Sequence, residues 1–132
     1  MKYIKINKIQ PQFTTVLTTL DTYEDDLIVN GIVQCPKGTI KMEQRVIAVG
    51  PNVREIKEGD LVLLDFTNYI VKKFRENSVK EDMEQMEDIP ILAVPKLLIG
   101  DKLVGKFNDR DIHGVILEYE ELESEKPKKK LI

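Results

Sequence analysis

Between Arg45 and Phe66 the chain reads RVIAVGPNVREIKEGDLVLLDF. Two apolar runs, Val46-Ile47-Ala48-Val49 and Leu61-Val62-Leu63-Leu64, flank a connector with two turn signals. Short apolar runs bounded by turn residues read as buried strands. Gly50-Pro51-Asn52 breaks the first strand. Lys57-Glu58-Gly59-Asp60 is a tight turn, where Gly59 can take the positive φ that other residues resist. The two strands are expected to enter one small barrel.

The rest of the chain supplies further short strands. Tyr3, Ile4, Ile6 and Ile9 give the opening segment β-like character, and FTTVLTTL, Phe13 to Leu20, is rich in β-branched and aromatic residues. Two breaker clusters, Asn30-Gly31 and Pro36-Lys37-Gly38, leave Ile32 and Val33 exposed between them in a loop expected to be mobile. TNYIVKKF is a further strand candidate, and a last strand is expected from Ile112 to Tyr119, interrupted at Gly114. Ser78 with Glu81 fits a capping box, so a short helix is expected from about Val79, with Met83 and Met86 on one stripe. Pro90 and Pro95 forbid a regular helix through IPILAVPKLLIGDKLVGKF, which reads as short edge strands or an extended arm. The expected organisation is a mainly β barrel over residues 1–119, with a helical or extended insertion at about 76–107. Residues 120–132 form a charged tail.

A chain of 132 residues suits one domain. A net charge of −3 argues against a general binder of nucleic acid or anionic membrane. No run approaches the roughly 18 apolar residues of a membrane span. The opening segment has no unbroken apolar core like a signal peptide, so a cytoplasmic location is expected, in the protein's own cell or in a host.

Enzyme chemistry finds little support. His113 is the one histidine and lies in a predicted strand with no Gly-x-Ser-x-Gly elbow elsewhere. Cys35 is the one cysteine, and a nucleophile there would need a positioned base. Neither spacing supports a zinc site. The carboxylates of EDMEQMED lack the central Gly of a calcium loop and read as a solvated helix face. There is no phosphate-cradling Gly-rich loop. KPKKK, Lys126 to Lys130, reads as a solubilising tail, the alternative being a contact with an acidic partner or nucleic acid. No enzyme, cofactor or metal is expected.

The stretch VIAVGPN…IKEGDLVLL resembles the core signature of the GroES-like fold, through Val46, Ala48, Val49, Gly50, Lys57, Gly59, Asp60, Val62 and Leu63. That fold is shared by co-chaperonins of the GroES type and by the N-terminal domain of zinc-type medium-chain alcohol dehydrogenases. The dehydrogenase pattern is missing here: neither a Gly-x-Gly-x-x-Gly turn nor a Gly-His-Glu zinc pattern occurs. The co-chaperonin order fits better. INKIQPQFTTVL resembles the family's first strand, NGIVQ its mobile-loop tip, and DIHGVIL its last strand.

The resemblance implies a co-chaperonin that caps a chaperonin ring and assists folding without catalysis. Asn30, Gly31, Ile32, Val33 and Gln34 would form the chaperonin-binding loop, the alternative for Ile32 and Val33 being an ordinary strand of the barrel. Such a loop loses entropy on binding, so each contact is weak, and a ring of subunits multiplies the weak tips into a firm cap. The family's lid is a heptamer joined through N- and C-terminal strands, which makes Ile6, Ile9, Ile112, Val115 and Leu117 candidates for a homo-oligomer interface. Three departures stand out. Gln34 replaces the third apolar position of the tip, removing burial worth ~1–2 kcal/mol per subunit. The connector from Gly50 to Gly59 is shorter than the roof hairpin of the bacterial lid, as in phage-encoded co-chaperonins. The stretch from Glu76 to Phe107 is longer than in the family. A second expectation belongs to another class: a structural protein built on the same barrel, such as an auxiliary capsid or virion component packing against capsid proteins.

Overall fold

The computed structural model describes residues 1–75 and 87–126. Among them lie ten strands: β1 (Thr15–Thr19), β2 (Leu27–Val29), β3 (Ile32–Cys35), β4 (Glu43–Val49), β5 (Leu61–Leu64), β6 (Ile70–Arg75), β7 (Glu87–Leu92), β8 (Lys96–Ile99), β9 (Lys102–Asn108) and β10 (Ile112–Val115). The only helical elements among these residues are 3-10 turns at Thr67–Tyr69 and Asp109–Asp111. The protein is mainly β, as its sequence predicts. Six strands form one antiparallel sheet in the order β10-β5-β4-β1-β9-β8, while β2-β3 and β6-β7 are separate two-stranded sheets.

Strand order forces the large sheet to curl. β9 and β10 are four places apart in it, roughly 19 Å if the sheet were flat. The 3-10 turn joining them, Asp109–Asp111, advances only about 2 Å per residue. The sheet must therefore fold over on itself. β4 makes this possible by serving both halves: Glu43 to Arg45 pair with β5, and Val46 to Val49 pair with β1 across an irregularity in register. The fold-over closes on Phe107 of β9, which is 1% exposed. Val16, Val46, Val62, Leu64 and Val94 complete the core cluster. Phe66 and Tyr69, just beyond β5, reach the Phe107 ring at centroid distances of 6.1 and 5.3 Å, the second edge-on. Edge-to-face contact suits the ring quadrupole.

The connector behaves as its glycines predict. Gly59 has φ +93°, and its turn is tied by Asp60 N–H to the Lys57 carbonyl (3.1 Å) and Lys57 N–H to the Asp60 carboxylate (2.9 Å). Gly50 serves a different need. A Cβ there would sit 2.2 Å from the carbonyl oxygen of Phe13, so only glycine lets the two segments run this close.

Three polar residues are buried, Thr18, Gln44 and Asp111, and the last two gather several hydrogen bonds each. Gln44 accepts from the Thr19 hydroxyl (2.8 Å) and Asp21 N–H (2.9 Å), and donates to the carbonyls of Asp21 and Lys41. Asp111 sits in the turn that joins the two ends of the curl. Its carboxylate accepts from the Tyr69 hydroxyl, the Asn68 amide (3.1 Å) and Asn108 N–H (3.0 Å). Burial, and then the Asp111 carboxylate, push the Tyr69 phenol well above its ordinary pKa.

Several expectations change. Residues 1–12 form no strand; their alternating apolar residues join no ladder among the described residues. The contacts of this segment include the Ile6 carbonyl with Gly100 N–H (2.6 Å) and the Gln10 amide with the Val49 carbonyl (3.2 Å). The last strand stops at Val115 rather than Tyr119. Antiparallel register pairs Val115 with Val62, Ile116 N–H reaches Leu61, and β5 begins there, so the partner runs out. From Glu87 to Phe107 the described part of the insertion enters the fold as extended structure. β8 is an edge strand, as expected of the Pro-flanked arm, whereas β9 lies inside the sheet between β1 and β8. The helix expected from Val79, with Met83 and Met86, lies outside the described residues.

Candidate docking hairpin

Residues 21–41 leave the large sheet between β1 and β4 as one long excursion. Its base is fixed by Gln44, which bonds both Asp21 and Lys41. Its stem is an antiparallel ladder: Thr22 bridges Ile40, Lys41 N–H bonds the Asp21 carbonyl (3.0 Å), and Tyr23 N–H bonds Thr39 (3.0 Å). The Lys41 ammonium lies 5.3 Å from the centre of the Tyr23 ring. Burial, with help from the Glu43 charge and Cys35, pushes the Tyr23 phenol up to about 12.

The tip is a tight hairpin. Val29 pairs with Ile32, leaving Asn30-Gly31 as a two-residue turn with φ +53° and +76°. Positive φ at both central residues is the type I′ geometry whose twist matches the flanking strands, and Asn-Gly is its preferred sequence. Ile32, Val33 and Gln34 thus belong to β3 rather than to an irregular loop between two breakers. Ile32 is 62% and Val33 49% exposed, and Gln34 is exposed too. Opposite partners in an antiparallel pair share a face. Val29, 42% exposed, therefore joins Ile32 on one apolar face of the tip. Sequence reading missed Val29, although LIV-NG-IVQ is a hairpin signature.

The free edge of β2 is held by a segment nearly a hundred residues away. Glu125 N–H donates to the Ile28 carbonyl (3.1 Å), and Ile28 N–H donates to the Ser124 hydroxyl (2.8 Å). The Glu125 carboxylate accepts from Asn30 N–H and Gly31 N–H, both at 2.9 Å. No local sequence signal could have shown this, because the partners meet only in three dimensions.

The interface candidates separate into two groups. Ile112 and Val115 are half-buried and pack against the protomer's own core. Leu117 is 93% exposed, and Ile9 is exposed beside the unpaired opening segment, with Ile6 half-buried there. Cys35 is half-buried at the end of β3, and His113 is exposed on β10. No group of three or more His, Cys, Asp or Glu among the described residues is placed to hold a metal ion. No helix among them is long and apolar enough to cross a membrane.

No family model matches the chain. Among curated proteins, it is similar to the ribosomal protein uS12 methylthiotransferase RimO of Oleidesulfovibrio alaskensis (strain ATCC BAA-1058 / DSM 17464 / G20). The two are 31% identical over 83 residues, which cover 59% of this chain and 19% of RimO. The chain therefore spans about a fifth of that relative's length.

Proposed function

We propose that this protein is a co-chaperonin-like lid subunit that docks on a chaperonin ring through the β2–β3 hairpin. One observation carries the reading: an apolar tip, Val29, Ile32 and Val33, stands exposed on a hairpin that forms a sheet of its own, apart from the six-stranded body. Exposed apolar residues grouped on one projecting element mark a contact surface. The resemblance of VIAVGPN…IKEGDLVLL to the GroES-type signature supplies the partner class. Self-association into a ring is part of the proposal. The unpaired opening segment with exposed Tyr3 and Ile4, and the exposed Leu117, support it. The match to RimO favours no reading, since it spans a small part of that protein.

Co-migration is the direct test. The purified protein, mixed with a chaperonin ring and ATP, is expected to elute with the ring and to show ring-shaped particles by electron microscopy when alone. Absence of any complex across micromolar concentrations sinks the proposal. Co-assembly with capsid proteins in its place would point to the virion alternative.

A further inference from the structure

We infer that Ser124 and Glu125 form an intramolecular clasp that presets the docking hairpin in its binding shape. The inference rests on the docking role proposed above, and adds the device that controls it.

An isolated two-stranded hairpin is marginal in water. β2 and β3 are such a pair, outside the six-stranded sheet. Their turn leaves the N–H groups of Asn30 and Gly31 pointing outward, and the Glu125 carboxylate takes both, one on each oxygen. A charged acceptor makes the stronger kind of hydrogen bond. Ser124 acts next to it. Its hydroxyl accepts from Ile28 N–H and donates to the Asp26 carbonyl (3.1 Å), while Asp26 itself accepts from Lys37 N–H (2.7 Å) across the excursion. Together these bonds occupy the outer edge of β2, which also blunts it against unwanted strand pairing.

The hold is concentrated at these two residues. Just upstream, Tyr119 to Leu122 line one side of an open groove of about 710 Å³, opposite Tyr23 and Leu63 among others. The clasp grips backbone only. It leaves the Ile32 and Val33 side chains largely exposed, so it does not mask the tip. Gripping the backbone while leaving the contact side chains free lowers the ordering cost of docking, which is preorganisation rather than inhibition.

Amide hydrogen exchange on the full chain, with Glu125→Ala and Glu125→Gln, tests the clasp without any partner. Glu125 is exposed, so neither variant is expected to alter global unfolding. In Glu125→Ala the amides of Asn30 and Gly31 are expected to exchange about tenfold faster, with body amides unchanged. Glu125→Gln retains one carbonyl acceptor and is expected to fall between. Binding to the chaperonin ring is expected to weaken about three- to tenfold in Glu125→Ala. Unchanged exchange at Asn30 and Gly31 overturns the inference. So does faster exchange with tighter binding, because the clasp would then restrain docking. Faster exchange in a protein whose wild type binds no chaperonin upholds the clasp and sinks the lid reading alone.

Discussion

The β4–β5 pair and the β2–β3 pair are both antiparallel, and both are rich in Val, Ile and Leu, yet they meet opposite fates. Val46, Val62 and Leu64 are buried in the body, whereas Val29, Ile32 and Val33 face solvent. The difference is in what surrounds each pair. β4 and β5 have strands on both sides, and the curl of the sheet lays Phe107 over them. β2 has β3 on one edge and Ser124-Glu125 on the other, with nothing covering the Val29–Ile32 face among the described residues. Residue type alone thus says that a strand forms, and the sheet's neighbours decide whether its apolar face is core or contact surface. The body is held by burial. The hairpin buries Ile28, is otherwise held by its turn and by hydrogen bonds, and keeps Val29, Ile32 and Val33 exposed.

The contrast is broken hardest at the body's centre. Phe107→Ala removes the ring on which Phe66 and Tyr69 rest, and is expected to cost ~3–5 kcal/mol in urea unfolding. An unchanged midpoint would mean that the curl does not close on this residue. Asp111→Ala comes next. It leaves the Tyr69 hydroxyl, the Asn68 amide and Asn108 N–H without their buried acceptor, at a cost of about 1–3 kcal/mol. Equal stability of Asp111→Ala and wild type would show that the turn at Asp109–Asp111 does not tie the two ends of the sheet. Gly31→Val has a smaller and local effect. A β-branched residue at φ +76° is strained by ~1–3 kcal/mol, which the hairpin sheds by opening. Amide exchange is expected to rise over residues 27–35 and to stay at wild-type levels in β4 and β5; a uniform rise would show that hairpin and body unfold together.

The same contrast explains how much of the molecule was legible in its sequence. β4 and β5 were, because period-two burial and the turn residues Gly50 and Gly59 agree. β1 was, through its β-branched run. β9 was in part: KLVGKF belonged to a stretch read as short edge strands or an extended arm, whereas its place inside the sheet and the central position of Phe107 follow from strand order, which no local pattern encodes. The opening segment failed the other way. Tyr3, Ile4, Ile6 and Ile9 alternate like a strand, but among the described residues the segment forms no ladder, even though β8 leaves an edge open beside the Ile6–Gly100 bond. At the hairpin, Ile32 and Val33 were legible as exposed apolar residues. A strand there was one of two open readings; the hairpin was missed because Asn30-Gly31 was read as a breaker rather than a type I′ turn. Glu125 was invisible, since in a run such as EELESEK a carboxylate that caps a distant turn looks like its solvated neighbours.

The subtlest test separates the two regions by leaving stability alone. Ile32 and Val33 are exposed, so Ile32→Ser with Val33→Ser removes little buried area and is expected to shift unfolding by no more than ~0.5 kcal/mol. The turn and the Glu125 bonds use backbone atoms and stay intact. Docking should respond very differently, because each subunit loses two exposed apolar side chains from its hairpin tip, one on each face. A ring multiplies that loss through every tip it presents, so co-migration with a chaperonin is expected to disappear altogether. The pairing of outcomes is what discriminates. Lost binding at wild-type stability assigns the tip to docking. Retained binding moves the contact elsewhere on the protein, and a large loss of stability would show that Ile32 and Val33 hold the fold together after all.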